Sequence, residues 1–389
     1  MRPSDHPMNA QAPHTKIIDI EGKSNDELRF MLDPYLQWCR GEGIPIHEEF
    51  CVDLHTLETK PWARMGIDGA FVHMKGRGDF ISIFLYDIAP GASSAPQRHL
   101  YEEVMLVIEG HGSAKIETHD GQTHSFEWGP DALFSIPLNA RYQLFNGSGT
   151  EPARIASTND LCVTMNMFHD EDFIFGTPTR FPEREGTGDP GWFAGEGEFV
   201  PSTRGRQMWE TNFVPDVTAF ELRDFASRGA GSSNIQFCLA DGVLHAHTSE
   251  MTAGTYKKAH RHPPDYHVFI VSGHGYSLFW YEGEQDYTRF EWAHGSVFAP
   301  TDMIFHQHFN TAKTPARYCA TAMGSTRYPF TAEKRELKLG VDVSVTKEGG
   351  FQIEYEDQDP RIHALYLEEL AKAGVACRMG EFMDETVLT

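Results

Sequence analysis

A mainly all-β chain, built from two copies of one sandwich or barrel, is predicted by three features. Short apolar runs such as Phe84-Leu85-Tyr86-Asp87-Ile88 and Val104-Met105-Leu106-Val107-Ile108 are bounded by Gly, Pro and Asp, as the strands of a sandwich or barrel are. The aromatic share is 12%, with Phe 27 alone, which suits strands better than helical bundles. The third feature is internal repetition. Residues 97–112 align without a gap on 260–275, and 126–146 on 290–310, at nearly the same offset. One β-domain has therefore been duplicated.

Taken in order, residues 1–15 are polar and hold Pro3, Pro7 and Pro13. They lack the apolar core of a signal peptide and read as a disordered leader. Ser24 and Glu27 form a capping box for a helical segment that Pro34 breaks and that is expected to end before Gly41. The first β-copy occupies the region 16–176. Residues 177–206, rich in Gly, Pro and charge, read as a linker or surface excursion whose composition favours mobility. The second copy spans 207–335. In the extension 336–389, Asp359 and Pro360 start a short helix that Gly374 stops, with a packing role within the chain or between subunits.

The formal net charge of −23 argues against nucleic acid or an anionic membrane face as partner. No apolar run approaches a bilayer-spanning length. Six scattered cysteines without a CxxC pair read as reduced thiols in a cytoplasm.

The chemistry concentrates in the second copy. Seven of the 20 histidines lie between His260 and His308, including His260-Arg261-His262 and His306-Gln307-His308. Two histidines one residue apart on a strand point to the same side, and a third from a distant strand can close a metal site. Imidazole suits Fe, Ni, Cu or Zn, whereas Mg and Ca want oxygen ligands. Arg261 and Gln307 face away by the same alternation.

These residues resemble the cupin superfamily, and their duplication a bicupin with two tandem double-stranded β-helix barrels. The resemblance rests on His260, His262 and Gly273 in a first motif, and on Gly295, Pro300, His306 and Asn310 in a second. It covers roughly residues 71–330. Tyr266 stands where cupins usually carry a metal-binding Glu, a loss that resembles three-histidine cupin dioxygenases such as gentisate 1,2-dioxygenase. In the first copy Gln97 stands for His260 and Tyr142 for His306, leaving His99 and Glu103, so that copy is expected to be structural.

The resemblance implies one Fe(II) per chain, held in the C-terminal cupin by His260, His262 and His306. His267, beside the usual acid position, is a further candidate ligand. His308, two residues beyond His306 on the same face, and Tyr266 are the candidate catalytic groups, with a packed aromatic as the other reading of Tyr266. Trp280, Tyr276 and Phe298 are offered as walls of an aromatic pocket, and Arg317 as a partner for a substrate carboxylate. Three neutral ligands leave the metal's charge uncompensated, which favours an anionic, chelating substrate. The implied function is cleavage of a gentisate- or salicylate-like aromatic acid with O₂. The alternatives are C–C cleavage in a non-aromatic enol or diketone, a metal-dependent isomerase or lyase, and a non-catalytic ligand-binding cupin. A homo-oligomer, dimer or tetramer, is expected by the same resemblance.

Overall fold

The computed structural model describes residues 21–75, 80–185, 190–200, 207–264, 266–325, 327–330 and 340–388. The leader expected over residues 1–15 lies outside them. Each copy is a pair of facing sheets. In the first, a large sheet runs Ile46–Glu49, Ile67–Met74, Ser82–Ile88, Ala153–Asn159, Glu103–Glu109, Leu133–Ile136, Phe213–Val214. It faces a small sheet of Arg141–Asn146, Gly112–Glu117 and Thr123–Trp128. In the second, the large sheet contains Met208–Thr211, Ser232–Leu239, Leu244–Met251, Ala316–Met323, Tyr266–Ser272 and Ser296–Phe298 in that order. Its small sheet runs Thr288–Ala293, His274–Trp280, Phe305–Asn310, Ala259–His260, Gln352–Ile353.

The duplication extends to the arms, and the arms are exchanged. Ile46–Glu49 runs parallel to Ile67–Met74 in its own copy, but the next strand, Cys51–Asp53, pairs with Ser296–Phe298 of the other. Met208–Thr211 likewise runs parallel to Ser232–Leu239, and Phe213–Val214 then pairs with Leu133–Ile136 of the first copy. An arginine holds each crossing. Arg154 grips Asp87 and the Leu54 carbonyl, and Arg317 grips Glu250 (2.7 Å) and the Val217 carbonyl (2.7 Å). The substrate-carboxylate role offered for Arg317 is therefore corrected. Its guanidinium is occupied by a chain crossing, as is that of its repeat partner.

The apolar runs are nearly continuous because both faces of each large sheet are covered. Phe84, Tyr86, Met105 and Val107 point into the first copy's interior. The alternating residues Ile83, Leu85, Val104 and Leu106 pack back to back against Phe237, Ala246, Phe269 and Cys319 of the second. All six cysteines are free thiols.

The capping box of Ser24 and Glu27 is present on helix Asn25–Leu32. Pro34 opens a second helix, Pro34–Glu42, as its N1 residue. The expected end before Gly41 is corrected by two residues. Gly41 is tolerated inside the last turn, and Gly43, at φ 73°, takes the left-handed position that stops the helix. Helix Pro360–Ala373 has the expected Asp359 cap and Gly374 stop. Its Ile362, Tyr366 and Leu370 pack with Tyr256, Tyr276 and Phe309 of the second copy, so its packing is within the chain. Mobility is not what the described part of residues 177–206 displays: Trp192 and Phe193 are buried, Phe193 stacks on His124 at 4.4 Å, and Glu198–Val200 pairs with Met208–Thr211. Residues 186–189 and 201–206 of that stretch lie outside the described residues.

The repeated glycines have a steric cause. A Cβ on Gly112 would sit 2.0 Å from the Phe145 carbonyl oxygen and against Trp128; one on Gly275 would sit 2.0 Å from the Phe309 oxygen and against Trp292. Both places are too close to backbone for any side chain. Gly275→Ala is expected to cost about 1–3 kcal/mol by forcing strands apart. An unaltered denaturation midpoint would show that the strands can separate freely.

Candidate metal centre

His260 and His306 face each other across the antiparallel pair of Ala259–His260 and Phe305–Asn310. Along the latter strand His306, His308 and Asn310 point inward, while Phe305 and Phe309 pack toward the C-terminal helix. Ring centroids are 4.1 Å apart for His260 and His306, 4.8 Å for His262 and His306, and 5.5 Å for His260 and His262. One nitrogen from each of the three lies within 4.8 Å of the others. Among the described residues this is the only such group of three.

The donor set fits a divalent metal that accepts imidazole. His306 Nδ1 lies 3.1 Å from the Ile304 carbonyl and His262 Nδ1 lies 2.6 Å from that of Pro263. Each N–H donates to a carbonyl, which leaves the Nε2 lone pair for a metal. Burial holds His260 and His306 well below the ordinary histidine pKa, and the neighbouring cation Arg228 and histidines His306 and His262 push in the same direction. Both are thus neutral, as ligation requires. His262 is half-buried and opens the group toward solvent.

His267 does not join them. Tyr266 and His267 are consecutive on one strand, so their side chains take opposite faces. His267 points to the other copy, with Nδ1 3.3 Å from the Thr158 hydroxyl. The fourth-ligand expectation is corrected on that ground. Tyr266 takes the inner face instead, its ring 4.6 Å from that of His262. His308 stands one step deeper, its ring 5.5 Å from His306. Trp292 donates to the Ser277 hydroxyl (3.0 Å), which in turn meets His308 Nδ1 at 2.7 Å. A Ser277 hydroxyl that donates to Nδ1 leaves the His308 proton on Nε2. Burial, with Lys257 and Arg228 nearby, pushes the His308 pKa down to about 3.

Of the aromatic candidates, Phe298 faces inward, 5.5 Å from His308. Tyr276 and Trp280 belong to the opposite face, where Tyr276 stacks on Phe309 at 4.6 Å and Trp280 on Phe305 at 5.8 Å. They are core, and their pocket role is corrected. Arg261 and Gln307 point away as expected, Arg261 to Glu282 and Gln307 to the Lys257 carbonyl. Sequence reasoning missed His247, Ser249, Lys257 and Tyr318, which also line the interior. Alternation along Leu244–Met251 would have put His247 and Ser249 on one face; nothing local marked Lys257.

The first copy repeats this geometry without the ligands. Gln97 bridges Tyr142 as His260 pairs with His306. At its centre the fully buried Glu103 accepts from Tyr142 (2.7 Å), Tyr86 (2.7 Å), Ser157 (2.8 Å) and His99 (2.8 Å). With its lone pairs so occupied, Glu103 plugs the sandwich. Residues 39–173, which hold this copy, match the family model described as auxin binding protein.

The chain has the bicupin fold. An auxin-binding protein of Nicotiana tabacum is 25% identical over 128 residues, 30% of this chain and 64% of that protein. One of Zea mays is 24% identical over 129 residues, 29% and 62% respectively. The chain spans less than two thirds of the length of these relatives. Bacillus subtilis oxalate decarboxylase is similar at 12% identity and a TM-score of 0.46, over 71% of this chain and 77% of that one. A second structure of it, concerned with its Mn(II) centres, covers 77% and 87% at 13% identity and the same TM-score. At that distance the likeness carries no chemistry across. Among the described residues, no helix is long and apolar enough to cross a membrane.

Proposed function

We propose that the C-terminal cupin holds one Fe(II) on His260, His262 and His306 and cleaves a C–C bond in a small anionic enol or diketone with O₂. The supporting observation is an all-imidazole, neutral ligand group with Tyr266, not a carboxylate, beside it. When bound there, a divalent iron supplies a Lewis-acidic and redox-active centre that keeps its full charge for an anionic chelator. The protein's own groups then orient the substrate. Tyr266 can donate its O–H to a substrate oxygen, and neutral His308 can donate from Nε2. The inward shell of Phe279 and Phe298 excludes water from that side.

A non-aromatic substrate is preferred to a hydroxybenzoate because Tyr276 and Trp280, two of the three residues offered as an aromatic pocket, face the core. The auxin of the relatives' names is not carried over. The matched segment is the copy in which Gln97 and Tyr142 occupy the ligand positions.

The test is anaerobic reloading with Fe(II), then oxygen uptake with acetylacetone, oxaloacetate, gentisate and salicylate. About one iron per chain and uptake matched to cleavage of a diketone or enol are expected. Uptake with gentisate or salicylate alone would return the assignment to ring cleavage. No uptake with any of them would sink the oxygenase reading.

A further inference from the structure

Beyond the metal group the second copy's interior carries polar side chains at His247, Tyr318 and His308, where the first copy has Phe84, Ile155 and Leu144. Six rings follow one another as neighbours. His262 lies 4.6 Å from Tyr266, Tyr266 6.0 Å from His247, and His247 6.0 Å from Tyr318; Tyr318 lies 5.6 Å from His308, which is 5.5 Å from His306. His306 closes on His262 at 4.8 Å. His262, Tyr266 and His247 are half-buried, whereas Tyr318 and His308 are buried, so the lining runs inward from solvent.

At its deep end is Lys257, 1% exposed. Its main chain is pinned to the His308 carbonyl (3.0 Å) and by Gln307 (2.8 Å). The ammonium reaches the Ser249 hydroxyl and lies 4.9 Å from the Tyr318 ring. Among the described residues no carboxylate pairs with it; Glu250, whose field reaches it, is held by Arg317 at 2.7 Å. Burial disfavours that charge and lowers the Lys257 pKa, and an anion that joined Lys257 would offset the cost and hold it as ammonium.

The repeat shows that the fold does not need this charge. Ser94 takes the place of Lys257, with its N–H on the Leu144 carbonyl (2.9 Å) as that of Lys257 is on His308. Phe84, Ile155 and Leu144 stand in register where His247, Tyr318 and His308 stand, all buried and apolar. At these positions the polar side chains belong to the copy with three histidines, while the first copy keeps its own buried polar groups around Glu103.

We propose that Lys257, with Ser249 and Tyr318, is an anion subsite that receives a carboxylate of the substrate whose chelating oxygens meet the metal. The substrate class narrows to keto or enol acids, an inference that rests on the metal reading above. Lys257 is a positioning residue that sets which chelator is held, and a chelator without an acid group gains nothing from it.

The test uses the full chain loaded with Co(II) without oxygen, and two chelators that differ by a carboxylate, acetylacetone and acetopyruvate. Wild type is expected to bind acetopyruvate at least about ten-fold more tightly, as a buried charge pair allows. Lys257→Met should abolish that preference and leave Co(II) stoichiometry and acetylacetone affinity unchanged, and Lys257→Arg should restore part of it. A preference that survives in Lys257→Met overturns the subsite while leaving the metal centre intact. A wild type that retains no Co(II) overturns both. Should Lys257→Met not fold, Lys257→Gln replaces it, and a wild-type preference below ten-fold by itself rejects the proposal.

Discussion

His306→Ala is expected to abolish metal retention while the chain stays folded. Loss of groups that only orient a ligand costs 10–100-fold in metal affinity, so loss of a ligand should cost more than about 100-fold. His306 is the pivot of the group, since its ring is within 4.8 Å of both partners. The fold should survive because removal of a neutral imidazole leaves no buried charge, and the strand keeps its ladder to His274–Trp280. Metal per chain after dialysis, read beside circular dichroism, checks this. Retention of a full equivalent by the variant would mean that the three histidines do not form the site. His267→Ala, by contrast, should retain metal, since its imidazole faces Thr158.

Glu103→Ala should cause the largest loss of stability, about 3–5 kcal/mol, the cost of removing one partner of a buried charged group. The fully buried Glu103 accepts from Tyr86, Tyr142, Ser157 and His99, and all four would be left facing a void. Against a typical total of about 5–15 kcal/mol, the first copy would be close to unfolding. Burial acts to raise the Glu103 pKa, but His99 and the two tyrosine hydroxyls outweigh it, and the net shift is below the ordinary 4.5. A carboxylate whose folded pKa is depressed contributes stability that is fully present above 4.5 and is lost as pH falls through the lowered value. Wild type should therefore lose stability in acid more steeply than Glu103→Gln. Urea titrations at several pH values measure both effects, and a loss under about 1 kcal/mol at neutral pH would show that the hydroxyls find other partners.

Much of this was legible in the chain itself. Repetition at nearly the same offset marked the duplication, and the alternation of strands put His260, His262 and His306 on one side and Arg261 and Gln307 on the other. Ser24, Glu27, Asp359 and Gly374 marked helix ends, because caps depend on neighbours a few residues away. The substitution of Gln97 and Tyr142 at the ligand positions marked the first copy as structural. All of these are local patterns or comparisons of the chain with itself.

What required tertiary structure was every question of which face meets what. Tyr266 and His267 are adjacent, and only the sheet packing decides that the first turns to His262 and the second to Thr158. Tyr276 and Trp280 look like pocket walls until the C-terminal segment is found to cover them. Arg317 looks free until the exchanged arm brings the Val217 carbonyl to it. Lys257 carries no local signal; its burial comes from Leu244–Met251 and Ala316–Met323 closing over it, with Ser249 and Tyr318 paired across those strands. Local sequence sets the period and the caps, whereas facing sheets and exchanged arms, which join residues far apart in the chain, decide which polar groups share the interior.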